Sequence, residues 1–76
     1  MEPEDIKRMI EDAFPQDTVE VEGDGQHFQA LVVSSQFEGK GLLERHKMVY
    51  AALGENMAER IHALSLKTLT PEQWEG

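Results

Sequence analysis

Residues 19–33 have the sequence VEVEGDGQHFQALVV, and this stretch decides the fold. Val19 and Val21 alternate with two glutamates, which predicts a short strand with one buried face. The Asp24-Gly25 pair that follows is a strong signal for a hairpin turn. From His27 onward, apolar side chains fall on both faces of the predicted strand, which is typical of the centre of a sheet. The stretch therefore predicts a hairpin whose second strand is a central strand.

Helical patterns lie on both sides of this hairpin. Before it, Pro3 suits a first turn and Pro15 stops a helix, which predicts a helix over residues 3–13. Apolar residues around this helix follow i, i+3, i+4 spacing and form one stripe, made of Ile6, Met9, Ile10, Ala13 and Phe14. After the hairpin, residues 34–41 are polar and rich in glycine, so we expect a loop or a single turn that Phe37 anchors to the core.

The second half of the chain predicts two more helices, a third strand and a final turn. The second helix begins at Leu42 and ends before Gly54, a residue suited to the end of a helix. One side should face the core, with Leu42, His46, Val49, Tyr50 and Leu53. Residues 56–59 have the pattern of a capping box, which predicts a short third helix. Residues 61–69 alternate like a strand, and residues 70–73 form another capping box, after which Trp74 should fold over the edge of the core.

These elements predict an α+β fold in a single domain over residues 1–76, with the order α-β-β-α-α-β. A helical crossover joins the second and third strands, so they should be parallel and connected in the right-handed sense. We therefore expect a three-stranded mixed sheet with the helices packed on one face.

The composition excludes several kinds of site. The chain has 76 residues and no cysteine. This excludes a disulfide framework, a thiolate nucleophile, a zinc finger of the cysteine type and an iron–sulfur cluster held by cysteines of this chain alone. Recognised catalytic motifs are missing, so we expect that the chain is not an enzyme. No apolar run approaches 18 residues and the first residues are acidic, so we expect no membrane span, no signal peptide and a cytoplasmic location.

The net charge of −8 is unevenly distributed. Residues 1–24 contain nine acidic and two basic residues, whereas residues 38–67 contain five basic and four acidic ones. Lys40, Arg45, His46 and Lys47 lie within eight residues and form a basic patch. This patch is either a solvated helix face or a surface that binds a partner. The negative charge of the whole chain opposes long-range attraction to nucleic acid.

Two histidines should begin neighbouring parallel strands, His27 and His62. Their imidazoles could lie at one edge of the sheet and offer two nitrogen ligands to a metal whose other ligands come from a partner. The alternative is that each is a polar surface residue at the end of a strand. His46 is a poorer candidate ligand because its neighbours in the sequence, Arg45 and Lys47, are cations.

Three segments of the chain resemble signature sequences of the BolA family. Residues 37–53, FEGKGLLERHKMVYAAL, are similar to the family pattern F-x-G-x-x-x-x-x-R-H-[RK]-x-V-Y-x-x-L. Residues 61–74, IHALSLKTLTPEQW, resemble its ending, IHALSIKxxTPEEW, and residues 23–28, GDGQHF, resemble its GDGSHF hairpin. The match runs from about residue 3 to residue 74, and it is closest to the IbaG (YrbA) branch of the family.

The resemblance implies a core similar to a type II KH domain, a monothiol glutaredoxin as partner and a [2Fe–2S] cluster shared with it. In such a complex the glutaredoxin and glutathione supply thiolates. The BolA-like chain supplies one histidine near its C-terminus, which corresponds to His62, and one ligand from the hairpin loop. His27 is the better match for the loop ligand, with Asp24 as the alternative, because imidazole suits such a cluster better than a carboxylate does. We expect no cofactor in the isolated chain, which would be a monomer or a weak homodimer.

Two functions follow from this resemblance. The first is an adaptor that acts with a glutaredoxin in iron–sulfur cluster assembly or trafficking, or in redox and stress regulation. The second is a transcriptional regulator that binds nucleic acid through the KH-like fold. KH modules clamp the nucleic-acid backbone with a GXXG loop, and residues 38–41, EGKG, are one residue short of that pattern. A protein-interaction module of another kind is a third possibility.

Overall fold

The computed structural model describes residues 1–61 and 63–76, and of residues 58 and 59 it describes the backbone alone. The helices are α1 (Pro3–Ala13), α2 (Leu42–Leu53), α3 (Asn56–Glu59) and α4 (Pro71–Glu75). The strands are β1 (Thr18–Gly23), β2 (His27–Val33) and β3 (Ala63–Leu69), with a 3₁₀ turn at Ser35–Phe37. This order confirms the predicted α+β fold. In the part of the chain that the structure describes, no helix is both long and apolar enough to cross a membrane.

The sheet has the strand order β1-β2-β3, with β2 in the centre as predicted. β1 and β2 are antiparallel, and Gly23 pairs with Phe28 next to the turn. β2 and β3 are parallel, and their register begins with His27 opposite Ala63. The third strand is described from Ala63, and Ile61, predicted as its first residue, is buried but not part of a strand. His62, predicted to open this strand, lies outside the described residues.

One face of the sheet packs against α1 and α2 and forms the core. β2 alternates as predicted, with Phe28, Ala30 and Val32 buried on this face. Phe37 is fully buried and anchors the loop, with its ring 5.4 Å from that of Phe14 between centroids. The buried cluster consists of Ile6, Ile10, Phe14, Val19, Phe28, Ala30, Val32, Phe37, Val49, Leu53 and Ile61. The structure thus confirms the prediction of a three-stranded mixed sheet with helices packed on one face.

The ends of the helices follow the sequence signals in one case and depart from them in another. At α4, Thr70 Oγ1 accepts from Gln73 N at 3.2 Å and Gln73 Oε1 accepts from Thr70 N at 2.9 Å, which is the predicted capping box. The capping box predicted for α3 is wrong. Asn56 is already inside that helix, and its side-chain amide donates to Leu53 O at 3.0 Å, so it binds the end of α2 instead.

The predicted core side of α2 is partly wrong. Val49 and Leu53 are buried, but Leu42 is 66% exposed and Tyr50 is 38% exposed. Leu42 is the first residue of the helix, where the small core has ended, and the Tyr50 ring lies against the His46 ring with 6.3 Å between centroids. Trp74 is half-exposed. A domain of this size has too little core to cover every apolar position of a stripe.

Candidate functional site

The hairpin turn between β1 and β2 is built around the Asp24 carboxylate. Asp24 Oδ1 accepts from Gln26 N and from His27 N, both at 2.9 Å, and Asp24 N donates to His27 O at 3.2 Å. Gly25 has a φ of 99°, a region that glycine enters without steric cost. The side chain that the sequence offered as an alternative ligand therefore holds the turn together.

The same carboxylate lies beside the His27 imidazole. Asp24 Oδ2 is 3.8 Å from His27 Nδ1, and the two side chains are 71% and 73% exposed. The backbone N–H of His27, and then that of Gln26, stabilise the charged carboxylate and lower the pKa of Asp24 below its ordinary value. Asp24 consequently remains an anion at lower pH than an ordinary aspartate, and His27 stands in solvent next to that anion.

The parallel pairing of β2 and β3 brings the start of both strands to one edge of the sheet. His27 is the register partner of Ala63, the residue that follows His62 in the sequence. Because His62 lies outside the described residues, the pairing of its imidazole with that of His27 stays a prediction. Among the side chains that the structure describes, which leave out those of residues 58, 59 and 62, no group of three or more His, Cys, Asp or Glu residues is close enough together to hold a metal ion.

The predicted basic patch divides into two kinds of residue. Lys40 and Lys47 are exposed. Arg45 is engaged within the chain: its Nε donates to Lys40 O at 2.9 Å, and its Nη1 donates to Thr68 O at 3.2 Å and to Gln73 Oε1 at 2.9 Å. Its guanidinium also lies 5.7 Å from the centre of the Phe37 ring. The structure therefore makes Arg45 a link between the loop, β3 and α4.

His46, the remaining member of the patch, points inward rather than toward a partner. Its Nε2 is buried and has no hydrogen-bond partner among the described residues, and its ring meets Tyr50 edge-on at an interplanar angle of 70°. His46 is therefore placed for packing, and the exposed positive charge of the patch comes from Lys40 and Lys47.

Sequence reasoning missed the apolar part of this surface. Leu42 and Leu43 are 66% and 68% exposed, and they lie between Lys40 and Lys47 at the start of α2. The available signal was Leu43, an apolar residue of α2 that lies outside the predicted core side of that helix. The surface is thus both basic and apolar.

Comparisons with known proteins agree on the family. The model of the family described as BolA-like protein matches residues 4–73. Protein BOLA2 of Arabidopsis thaliana is 64% identical over 53 residues, which are 68% of this chain and 56% of that protein. The acid stress protein IbaG of Escherichia coli is 39% identical over 75 residues, 97% of this chain and 89% of that one. The E. coli DNA-binding transcriptional regulator BolA is 43% identical over 54 residues, 71% of this chain and 51% of that protein.

Solved structures agree as well. A bolA protein homologue from Coxiella burnetii superposes with a TM-score of 0.89 at 48% identity, covering 100% of this chain and 99% of that one. Yeast Fra2 superposes with a TM-score of 0.79 at 37% identity, covering 97% and 84%. The BolA domain of SufE1 from Arabidopsis thaliana gives 0.81 at 29% identity, covering 92% of each chain.

Several of the curated relatives are longer than the part that matches. This chain spans 56% of Arabidopsis BOLA2 and 38% of the bovine BolA-like protein 1. The E. coli relatives named above are a stress protein and a transcriptional regulator. The family model, the match to IbaG over 97% of this chain and the superposition on the Coxiella burnetii homologue all indicate the same family. The chain belongs to the BolA-like family.

Proposed function

We propose that this chain is an adaptor that binds a monothiol glutaredoxin and contributes His27 and His62 to a [2Fe–2S] cluster held between the two proteins. Its role would lie in iron–sulfur cluster assembly or trafficking, or in redox and stress regulation. The pairing of His27 with Ala63 carries the proposal, because it places the hairpin turn and the start of β3 at one edge of the sheet. Membership of the BolA-like family supports it independently.

The donor set fits a cluster of mixed ligation. Imidazole nitrogen is a suitable ligand for iron in a [2Fe–2S] centre, and it must be neutral to bind. The chain has no cysteine, so every thiolate ligand would come from the partner and glutathione. When bound, the cluster would supply electron transfer or serve as cargo.

Asp24 has a positioning role in this proposal. Its Oδ2 lies on the Nδ1 side of the His27 ring at 3.8 Å, and a carboxylate there favours the tautomer that carries its proton on Nδ1. That tautomer leaves the Nε2 lone pair for the metal. Because Asp24 Oδ1 already accepts two backbone hydrogen bonds, His27 is the better of the two candidate loop ligands.

The test is reconstitution of the cluster in a mixture of this chain, a monothiol glutaredoxin, glutathione, iron and sulfide without oxygen. We expect visible absorption and circular dichroism that differ from those of the glutaredoxin alone. His27→Ala and His62→Ala should preserve the far-ultraviolet spectrum of the protein but change the visible spectrum of the complex. Gln26→Ala, an exposed neighbour in the same turn, is the matched control and should behave as wild type.

Two outcomes would contradict the proposal. If the mixture has the same visible spectrum as the glutaredoxin alone, the chain does not share its cluster. If His27→Ala leaves the spectrum of the complex unchanged while Asp24→Ala alters it, the loop ligand is Asp24 and the positioning role is wrong.

A second candidate function is nucleic-acid binding. It is supported by the exposed Lys40 and Lys47 beside the glycine-containing loop and by the name of the E. coli regulator BolA. The engagement of Arg45 with acceptors of its own chain weakens it, because it leaves fewer free cations for phosphates. We therefore rank it below the adaptor function.

A further inference from the structure

The face of the sheet opposite the helices carries an ordered set of polar groups. Its side chains are exposed at Glu20 and Glu22 on β1, at Gln29 on β2, and at Ser65 and Lys67 on β3. Leu31 lies half-buried in the middle. A groove of about 450 Å³ lies here, and the described residues that line it all belong to the three strands. None of these groups is a proposed cluster ligand, and His27, which is, lies exposed at the start of β2 on the same face, two residues before Gln29.

The strand register arranges these groups in two rows across the sheet. One row is Glu20, Leu31 and Lys67, and the next is Glu22, Gln29 and Ser65. In each row an anion lies on β1, a residue without charge lies on β2, and a cation or hydroxyl donor lies on β3. If the same row from a second copy is placed over it in the opposite order, the anion of each copy therefore lies over the cation or hydroxyl donor of the other.

We propose that this face binds the same face of a second copy of the chain. The symmetry is a two-fold axis that runs between the two sheets, parallel to β2. Rotation about this axis leaves β2 over β2 of the second copy and places each β1 over the partner β3. It also keeps the strand axes of the two sheets aligned, which agrees with the small angle of about 30° at which stacked sheets pack.

The contacts that result are complementary in both rows. Glu20 faces Lys67 of the second copy, and Leu31 faces its own equivalent across the axis. Glu22 faces Ser65 of the second copy, whose hydroxyl can donate to the carboxylate. The Gln29 amide faces the same amide, and two such amides can each donate to the other. An isologous interface requires this kind of self-complementarity.

The dimer is weak because the face is small. Three strands about 4.8 Å apart, each about 20 Å long, offer less than the roughly 800 Å² per partner of a stable complex. Val33, on the same face of β2, is only 5% exposed, which limits the free area further. The second glutamate of each copy has no cation opposite it, and the net charge of −8 adds repulsion. Association should therefore require concentrated protein.

Charge reversal tests the proposal by sedimentation equilibrium over a series of concentrations up to millimolar. Wild type should show a mass that rises with concentration. Glu20→Lys alone and Lys67→Glu alone each place like charges together and should weaken association about tenfold or more. An equimolar mixture of the two single variants should associate again, because every introduced charge then meets its opposite on the other chain. The double variant E20K/K67E should also associate like wild type.

The matched control variants carry the same kinds of charge reversal on the other side of the sheet, where the helices lie. Glu55→Lys and Lys47→Glu alter exposed residues there and should leave self-association unchanged. Ser65→Lys adds a cation opposite Glu22 of the second copy and should tighten the dimer. Unfolding of the variant could not produce this stronger association. Wild type that stays monomeric at millimolar concentration overturns the proposal. So do single reversals that associate as well as wild type, or a mixture that fails to associate.

Discussion

Arg45 joins three segments that are far apart in the sequence. Its guanidinium donates to Lys40 O in the loop, to Thr68 O at the end of β3 and to Gln73 Oε1 in α4. Gln73 Oε1 also accepts from Thr70 N, so the helix cap and the arginine share one acceptor. A planar group with several donors in fixed directions is needed to reach all these acceptors at once. Arg45 is therefore a structural residue within a motif that looks basic.

We predict that Arg45→Ala lowers the free energy of unfolding by about 1–3 kcal/mol, because it removes hydrogen bonds of a charged group that is partly buried. Arg45→Lys should recover only part of this loss, since an ammonium cannot span the same acceptors. Lys47→Ala, an exposed neighbour, should change stability by no more than about 0.5 kcal/mol. Urea denaturation checks this. Equal unfolding midpoints for Arg45→Ala and Lys47→Ala would show that the network does not hold the fold together.

At the scale of single elements, α2 has two different sides. Val49 and Leu53 are fully buried against the core, whereas Leu42, Leu43 and Tyr50 are exposed. The exposed side continues from the loop that carries Lys40. One helix therefore both completes the core and presents a surface that is apolar and basic together.

We predict that Leu53→Ala costs about 2–5 kcal/mol of unfolding free energy, as other buried leucines do. Tyr50→Ala should cost clearly less, because its ring is already in contact with water and loses mainly its contact with His46. Chemical denaturation of both variants, with Leu43→Ala as an exposed control, measures the difference. A Tyr50→Ala loss as large as that of Leu53→Ala would mean that the tyrosine belongs to the core after all.

For the whole molecule, the distribution of charge limits its partners. The chain carries −8 overall, and its exposed cations near the loop are only part of the predicted patch. Nucleic-acid affinity depends on the number of phosphates neutralised, so it should be small here. The affinity for a protein partner is not limited in this way, because it does not depend on the number of phosphates neutralised.

We predict that a short DNA duplex in about 0.15 M salt binds the isolated chain no more tightly than the non-specific range of roughly 10⁻⁴–10⁻⁶ M. Fluorescence anisotropy with wild type and with a Lys40→Glu, Lys47→Glu double variant measures this, and the double variant should lose what binding remains. Submicromolar binding that depends on the DNA sequence would place the transcriptional function ahead of the adaptor function.

The sequence by itself determined the order of the elements and most of their ends. The bounds of α1 and α2, the hairpin turn and the α4 cap all depend on contacts between residues close in the chain, or on a hydrophobic period that repeats locally. The parallel third strand followed from the order of the elements, because a helical crossover joins it to β2. Such signals are complete before the chain folds. The candidate ligands His27 and His62 were found from their predicted places at the starts of neighbouring strands, and the family resemblance pointed to the same two residues.

Only the tertiary structure decided what each side chain does. Whether Tyr50 is buried depends on where the core ends, and whether Arg45 is free depends on carbonyls 23 residues or more away along the chain. The pairing of Glu20, Leu31 and Lys67 in one row likewise depends on strand register between distant segments. Burial and hydrogen-bond partners are properties of packed surfaces, and local sequence patterns specify which faces are apolar but not how far the packing extends.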